Sequence, residues 1–192
     1  YVYRVGTNKS DKLSNNGPQI APIFSNDGNM VAFIRGNNIF IKRLQFETEV
    51  QVTTDGDAGN NNGFHNKKVI QAFGELVSMA WSADNSSLVY IKGQNVYVYN
   101  VQYKWHKMVT LPQFTDGYVT HIQWTNSDDK FVVMYLNRLQ TELSVAIVDI
   151  NTLIAKRIYN YKEDKYISPE NASYILMFPD ANEFGVLEEK DG

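Results

Sequence analysis

The chain has 192 residues, 43% of them hydrophobic and 20% charged, with 18 basic against 21 acidic side chains and a formal charge of −3. That length suits one domain with a sizeable core, and the slightly acidic balance argues against a protein that grips nucleic acid through phosphate contacts. The absence of cysteine excludes a disulfide scaffold, a thiol nucleophile and thiolate-bound zinc, and no apolar run approaches the ~18–20 residues that a membrane-spanning helix needs.

Aromatic residues make up 13% of the chain, and short tyrosine-, valine- and isoleucine-rich runs separated by asparagine, aspartate and glycine read as strands joined by turns. The chain opens directly on Tyr1-Val2-Tyr3-Arg4, with no basic or apolar leader, as a processed protein or a fragment would. These first residues read as outer strands. A repeated unit follows. Phe24-Ser25-Asn26-Asp27-Gly28 leads into Val31-Ala32-Phe33-Ile34, then Ile39-Phe40-Ile41, then Val50-Gln51-Val52-Thr53. Trp81-Ser82-Ala83-Asp84-Asn85 leads into Leu88-Val89-Tyr90-Ile91, Val96-Tyr97-Val98-Tyr99 and Lys107-Met108-Val109-Thr110. Trp124-Thr125-Asn126-Ser127-Asp128 leads into Phe131–Tyr135 and Leu143–Val148, and a weaker fourth copy starts at Phe178-Pro179-Asp180.

The leading aromatics stand 57, 43 and 54 residues apart, the range of a four-stranded propeller blade with variable loops. A β-sandwich also alternates, but it does not repeat an aromatic, a small hydroxyl residue and an acidic turn before each strand set. The expected fold is therefore all-β: a partial β-propeller of about three four-stranded antiparallel blades plus flanking strands. The expected division is 1–20 for outer strands of a preceding blade, 21–78, 79–120 and 121–172 for blades, and 173–192 for the start of the next. Closed propellers use about 4–8 blades, so the chain reads as part of a longer one. Its open blade edges would allow pairing with another copy.

No Gly-x-Ser-x-Gly nucleophile elbow occurs, so no catalytic residue is assigned. Ser25, Ser82 and Ser127 sit in turns, where a hydroxyl bonds nearby backbone. His65, His106 and His121 lack metal-ligand spacing and read as ordinary surface or blade residues. Asp55-Gly56-Asp57-Ala58-Gly59-Asn60 begins like a calcium loop but has Asn60 where glycine is required and Asn66 where the bidentate glutamate belongs. Glu188 and Glu189 with Asp180 are a weak glycosidase-like set, because neighbours on a regular strand point to opposite faces. Trp105, between Lys104 and His106, reads as a blade-edge aromatic. Sequons stand at Asn8, Asn85 and Asn171. No metal and no cofactor is expected.

Four stretches carry a family resemblance: Phe24-Ser25-Asn26-Asp27-Gly28 through Lys42; Gln51-Val52-Thr53-Thr54-Asp55-Gly56 followed by Asn62-Gly63; Tyr135-Leu136-Asn137-Arg138-Leu139-Gln140 leading to Val148-Asp149; and Glu189-Lys190-Asp191-Gly192. Over nearly its whole length the chain resembles the N-terminal β-propeller of dipeptidyl peptidase IV-like serine peptidases, of the prolyl oligopeptidase clan. The resemblance implies a non-catalytic propeller that filters peptide access to an α/β-hydrolase domain lying outside this chain. It also implies a periplasmic, cell-envelope or secreted location and a short helix whose paired glutamates bind the substrate's free α-amine.

The family's Trp-Val-Tyr-Glu-Glu-Glu segment aligns without gaps on Lys67-Lys68-Val69-Ile70-Gln71-Ala72, before the matching Phe73-Gly74, and places a short helix around Val69–Phe73. The amine-binding pair falls on Gln71 and Ala72, neither of which can carry a negative charge. Glu75 is the nearest acidic substitute. That loss motivates a second function class, a non-enzymatic interaction or scaffold propeller.

Overall fold

The computed structural model describes residues 1–65, 67–74, 77–111, 116–168, 171–177 and 183–187, with the side chains of residues 67 and 68 left aside. Among them, strands β1 (Val2–Arg4) and β2 (Lys9–Asp11) form a two-stranded antiparallel hairpin. Three four-stranded antiparallel sheets follow in chain order. The first joins β3 (Ile20–Phe24), β4 (Met30–Arg35), β5 (Asn38–Arg43) and β6 (Thr48–Gln51). A helix, α1 (Lys67–Phe73), separates it from the second, made of β7 (Met79–Trp81), β8 (Ser87–Lys92), β9 (Asn95–Asn100) and β10 (His106–Met108). The third contains β11 (Gly117–Trp124), β12 (Lys130–Asn137), β13 (Glu142–Asp149) and β14 (Ala155–Lys162). A last hairpin pairs β15 (Ile175–Met177) with β16 (Phe184–Val186).

Each four-stranded sheet pairs its strands in sequence order, the arrangement of a propeller blade. The architecture is a partial β-propeller. The central strands of each sheet are buried on both faces, and strand alternation shows how. In β4, Val31 and Phe33 pack with Val2, Leu13 and Phe40, while Ala32 and Ile34 face the second sheet's Met79, Trp81, Leu88 and Tyr90. In β8, Val89 and Ile91 face the third sheet's Ile122, Trp124, Phe131 and Val133. The opposite face of the third sheet, through Val132, Met134 and Leu136, covers Val69 and Phe73 of α1 together with Ile167, Ala172 and Ile175. A period of two thus supplies an apolar side chain to each neighbour.

Strand ends depart from the expected division. The boundary between 120 and 121 falls inside β11, which starts at Gly117 because the long β12 offers partners out to Asn137. Ile20 already pairs with Ile34 in β4, and the register then shifts across Ala21-Pro22, where Ala21 has φ +48. Proline cannot donate to a ladder and is accommodated at such an irregularity. The β4–β5 link is a two-residue turn with positive φ at both Gly36 and Asn37, as a type I′ hairpin requires.

The repeated turn motif is one hydrogen-bond pattern written more than once. Ser25 Oγ donates to Asp27 Oδ1 at 2.6 Å and accepts from Met30 N–H at 2.9 Å; Ser82 Oγ donates to Asp84 Oδ1 at 2.6 Å and accepts from Ser87 N–H at 2.9 Å. In the third copy Thr125 replaces the serine and its hydroxyl bonds the Lys130 carbonyl at 3.0 Å. The Ser25 hydroxyl and Asn29 hold the Asp27 carboxyl below its ordinary value. Neighbouring turns are also stitched together: Asn26 N–H donates to Asn85 Oδ1 at 2.7 Å, and Asp84 N–H to Asp128 Oδ1 at 2.8 Å.

Candidate functional site

At the opposite end from these turns, the connection between the first and second sheets carries α1. Its seven residues are too few to stay helical alone, so packing decides its existence. Val69 and Phe73, four residues apart, lie on one face and are buried against the third sheet, with the Phe73 and Tyr118 rings 5.3 Å apart. Gly74 ends the helix at φ +75, its N–H donating to the Ile70 carbonyl at 2.8 Å. This is a left-handed C-terminal cap that glycine adopts without steric cost. Gln71 and Ala72 fall between the two anchors and are exposed.

The helix thus occurs where the resemblance puts it. The two positions aligned with the paired glutamates are presented to solvent by α1. Glu75 lies outside the described residues, as do Glu188, Glu189, Asp180 and the fourth aromatic turn at Phe178.

The segment leading to α1 is fixed by a polar network built on the buried Asn38, Thr53 and Asn62. Asn62 is fully buried; its Nδ2 donates to Asp55 Oδ1 at 3.0 Å, and its N–H to the Asn37 carbonyl at 3.1 Å. Asn38 Oδ1 accepts from Gly56 N–H at 2.9 Å and from Thr53 Oγ1 at 3.1 Å. Asp55 pairs with Lys92, and hydrogen bonding from Lys92, then from Asn62, holds its carboxyl below the usual range. Asp55, the first residue of the calcium-like stretch, is thus engaged in tying this connection to Lys92 of the second sheet.

His65 differs from its sequence reading. It is 4% exposed, its Nε2 has no hydrogen-bond partner among the described residues, and burial pushes its imidazole down to about 4. Sequence alone places a histidine in a glycine- and asparagine-rich loop; only the fold shows that the loop turns inward. Burial lowers His106 and His121 as well. His106 Nδ1 lies 3.1 Å from the Tyr90 hydroxyl, and His121 Nε2 lies 3.1 Å from Gln123 Oε1. Trp105 is partly buried against the core between the second and third sheets, with Lys107 Nζ 4.6 Å above its ring.

The Leu136–Gln140 stretch is a capped hairpin. Asn137 Oδ1 accepts from the N–H groups of Thr141 at 2.8 Å and Glu142 at 2.9 Å, and Gln140 takes φ +59. Arg138, exposed, lies 3.5 Å from Asp116, which immediately precedes β11 and stands two residues before Tyr118. The β12–β13 hairpin therefore borders the helix-bearing face, and Leu136 at its edge belongs to the apolar cluster that holds α1.

With that geometry in view, comparison with known proteins is informative. The model of the dipeptidyl peptidase IV (DPP IV) N-terminal region matches residues 1–95 and 94–192. The chain belongs to this family. The crystal structure of Porphyromonas gingivalis dipeptidyl peptidase 4 superposes with a TM-score of 0.90 at 32% identity, covering 99% of this chain and 32% of that one. A Bacteroides ovatus protein proposed to be a dipeptidyl aminopeptidase IV superposes at a TM-score of 0.68 and 17% identity, over 84% of this chain and 26% of its own, and shares the fold. No curated protein matches. The chain thus spans about a third of the length of the Porphyromonas enzyme. No helix among the described residues is long and apolar enough to cross a membrane.

Proposed function

We propose that the chain is the non-catalytic propeller portion of a dipeptidyl peptidase IV-like serine exopeptidase, periplasmic or secreted, which shapes the access of peptides to an α/β-hydrolase domain outside this chain. The expected blade division, with the first blade moved to start at Ile20 and the third at Gly117, is part of that reading. The observation that supports it is α1: a seven-residue helix held by Val69 and Phe73, with Gln71 and Ala72 exposed at the positions aligned with the family's amine-binding glutamates.

Two carboxylates on a substrate ammonium fix how far a peptide reaches and so which bond meets the nucleophile. A glutamine and an alanine supply no such charge. The full-length protein is therefore expected to cleave peptides with only weak discrimination between free and acetylated N-termini. Measuring kcat/KM on a matched pair of such peptides tests this, and a large preference for the free amine would assign amine binding to another residue, Glu75 being the nearest acidic one.

The uncharged pair also favours a second reading, an interaction propeller without enzymatic work. Recovery of a defined partner with no peptidase activity in the full reading frame would select it. A Gly-x-Ser-x-Gly elbow followed by aspartate and histidine in that frame, with measurable peptide hydrolysis, would select the first.

A further inference from the structure

The loop that carries α1 is closed at its base by three residues bonded in a ring. Gly63 N–H donates to the Ile91 carbonyl at 2.8 Å, Ile91 N–H donates to the Ser78 carbonyl at 2.9 Å, and Ser78 Oγ donates to the Gly63 carbonyl at 2.7 Å. Ile91 is a fully buried residue of β8, so both stems of the loop hang from one fixed point in the second sheet. The entering stem has no slack. Gly63 has φ +81, and a Cβ there would meet Met79 Sδ at 2.8 Å and Ile39 Cγ1 at 3.0 Å. Asn62, immediately before it, is locked to Asp55 and Asn37.

The two backbone bonds tie each stem to the sheet. The Ser78 hydroxyl alone, among the hydrogen bonds described at this base, ties the stems to each other. We propose that Ser78 is a positioning residue: its hydroxyl closes the neck of the loop spanning residues 64–77 and fixes where α1 presents Gln71 and Ala72. Closing the neck limits the conformations open to the loop, and α1, too short to persist alone, depends on that limit as well as on its Val69 and Phe73 anchors. The consequence for substrate placement rests on the peptidase reading; the effect on α1 does not.

The test is site-resolved amide hydrogen exchange of the intact chain and its Ser78→Ala and Ser78→Thr variants. One neutral hydrogen bond removed raises the population of a locally open loop about two- to tenfold. Exchange at Gln71, Ala72, Phe73 and Gly74 should accelerate by that factor in Ser78→Ala, while Val89 in β8 and Val133 in β12 keep their rates. Ser78→Thr, which retains the hydroxyl, should restore the original rates. Unchanged α1 exchange in Ser78→Ala overturns the proposal. Equal acceleration at all these amides does so too, because it would make the hydroxyl a general stabiliser of the fold. Failure of the peptidase reading would appear separately, as absence of peptide hydrolysis by the full reading frame.

Discussion

The Trp124 indole Nε1–H donates to the main-chain carbonyl of Ala80 at 3.0 Å, joining the innermost strand of the third sheet to that of the second. Trp81 makes the same bond to Ile23 at 3.4 Å, one sheet earlier. The tryptophan that opens the second and third repeats is thus an inter-sheet tie. Trp81 and Trp124 are 7% and 8% exposed, whereas Phe24, which opens the first copy, is 54% exposed. An indole in this position both fills space between neighbours and finds a main-chain acceptor for its own N–H.

Trp124→Phe keeps most of the ring packing and removes the donor. The expected loss is about 0.5–1.5 kcal/mol, the net contribution of one hydrogen bond, because Ala80 still pairs with Val89 in the β7–β8 ladder. Trp124→Ala should cost about 3–5 kcal/mol. Equilibrium unfolding in urea checks both, and a Trp124→Phe loss near zero would mean that the indole bond contributes nothing beyond packing. Trp81→Phe, with the longer bond, should lose less than Trp124→Phe.

A second prediction concerns the turns. Ser82 is fully buried, and its hydroxyl serves the Asp84 carboxylate and the Ser87 N–H together. Burial pushes the Asp84 carboxyl up, but hydrogen bonds from Ser82 and Ser86 outweigh it and hold it below its ordinary value. Ser82→Ala leaves the buried Ser87 N–H without this partner and should destabilise by about 1–3 kcal/mol. A loss below about 0.5 kcal/mol in the same urea experiment, the range of an ordinary surface change, would refute that role.

The third follows from His65. Its imidazole takes a proton near pH 6.5 when unfolded but is pushed down to about 4 by burial in the fold. Between those values the unfolded chain binds more protons than the folded one, so stability falls as the pH is lowered. The contribution is fully present above pH 6.5 and is lost on the way down to about pH 4, by up to about 3 kcal/mol. His65→Gln has no such group, so the stability difference between wild type and variant should shift against wild type across this window. A difference that stays flat from pH 7 to pH 4 would show that the imidazole protonates as readily inside as outside.

Much of this was legible in the sequence because it repeats. The Ser25 and Ser82 turns and the strands after them announce themselves by spacing, and the positive φ of Gly28, Gly36 and Asn37 follows from residue type. What stayed hidden depends on contacts between distant residues. Nothing local marks Ser78, a serine just before a short strand, as the partner of a glycine fifteen positions earlier. Nothing local marks His65 as buried. The inner strand β11 begins before its expected start because β12 is long enough to pair with it, a tertiary fact that the pattern around Trp124 does not contain.

The aligned pair on α1 gives the most direct functional prediction. Gln71 and Ala72 are exposed, so exchanging them disturbs no core contact, and glutamate is a good helix former at either position. In an active full-length enzyme, Gln71→Glu combined with Ala72→Glu would offer two carboxylates to a substrate ammonium. A hydrogen bond to a charged group contributes about 1.5–3 kcal/mol, so each restored bond should raise the kcat/KM preference for a free over an acetylated N-terminus roughly ten- to hundredfold. The preference should fall again as salt is added if the new carboxylates remain partly solvated. An unchanged preference in the double variant, with peptide hydrolysis intact, would mean that α1 does not face the substrate amine in this protein.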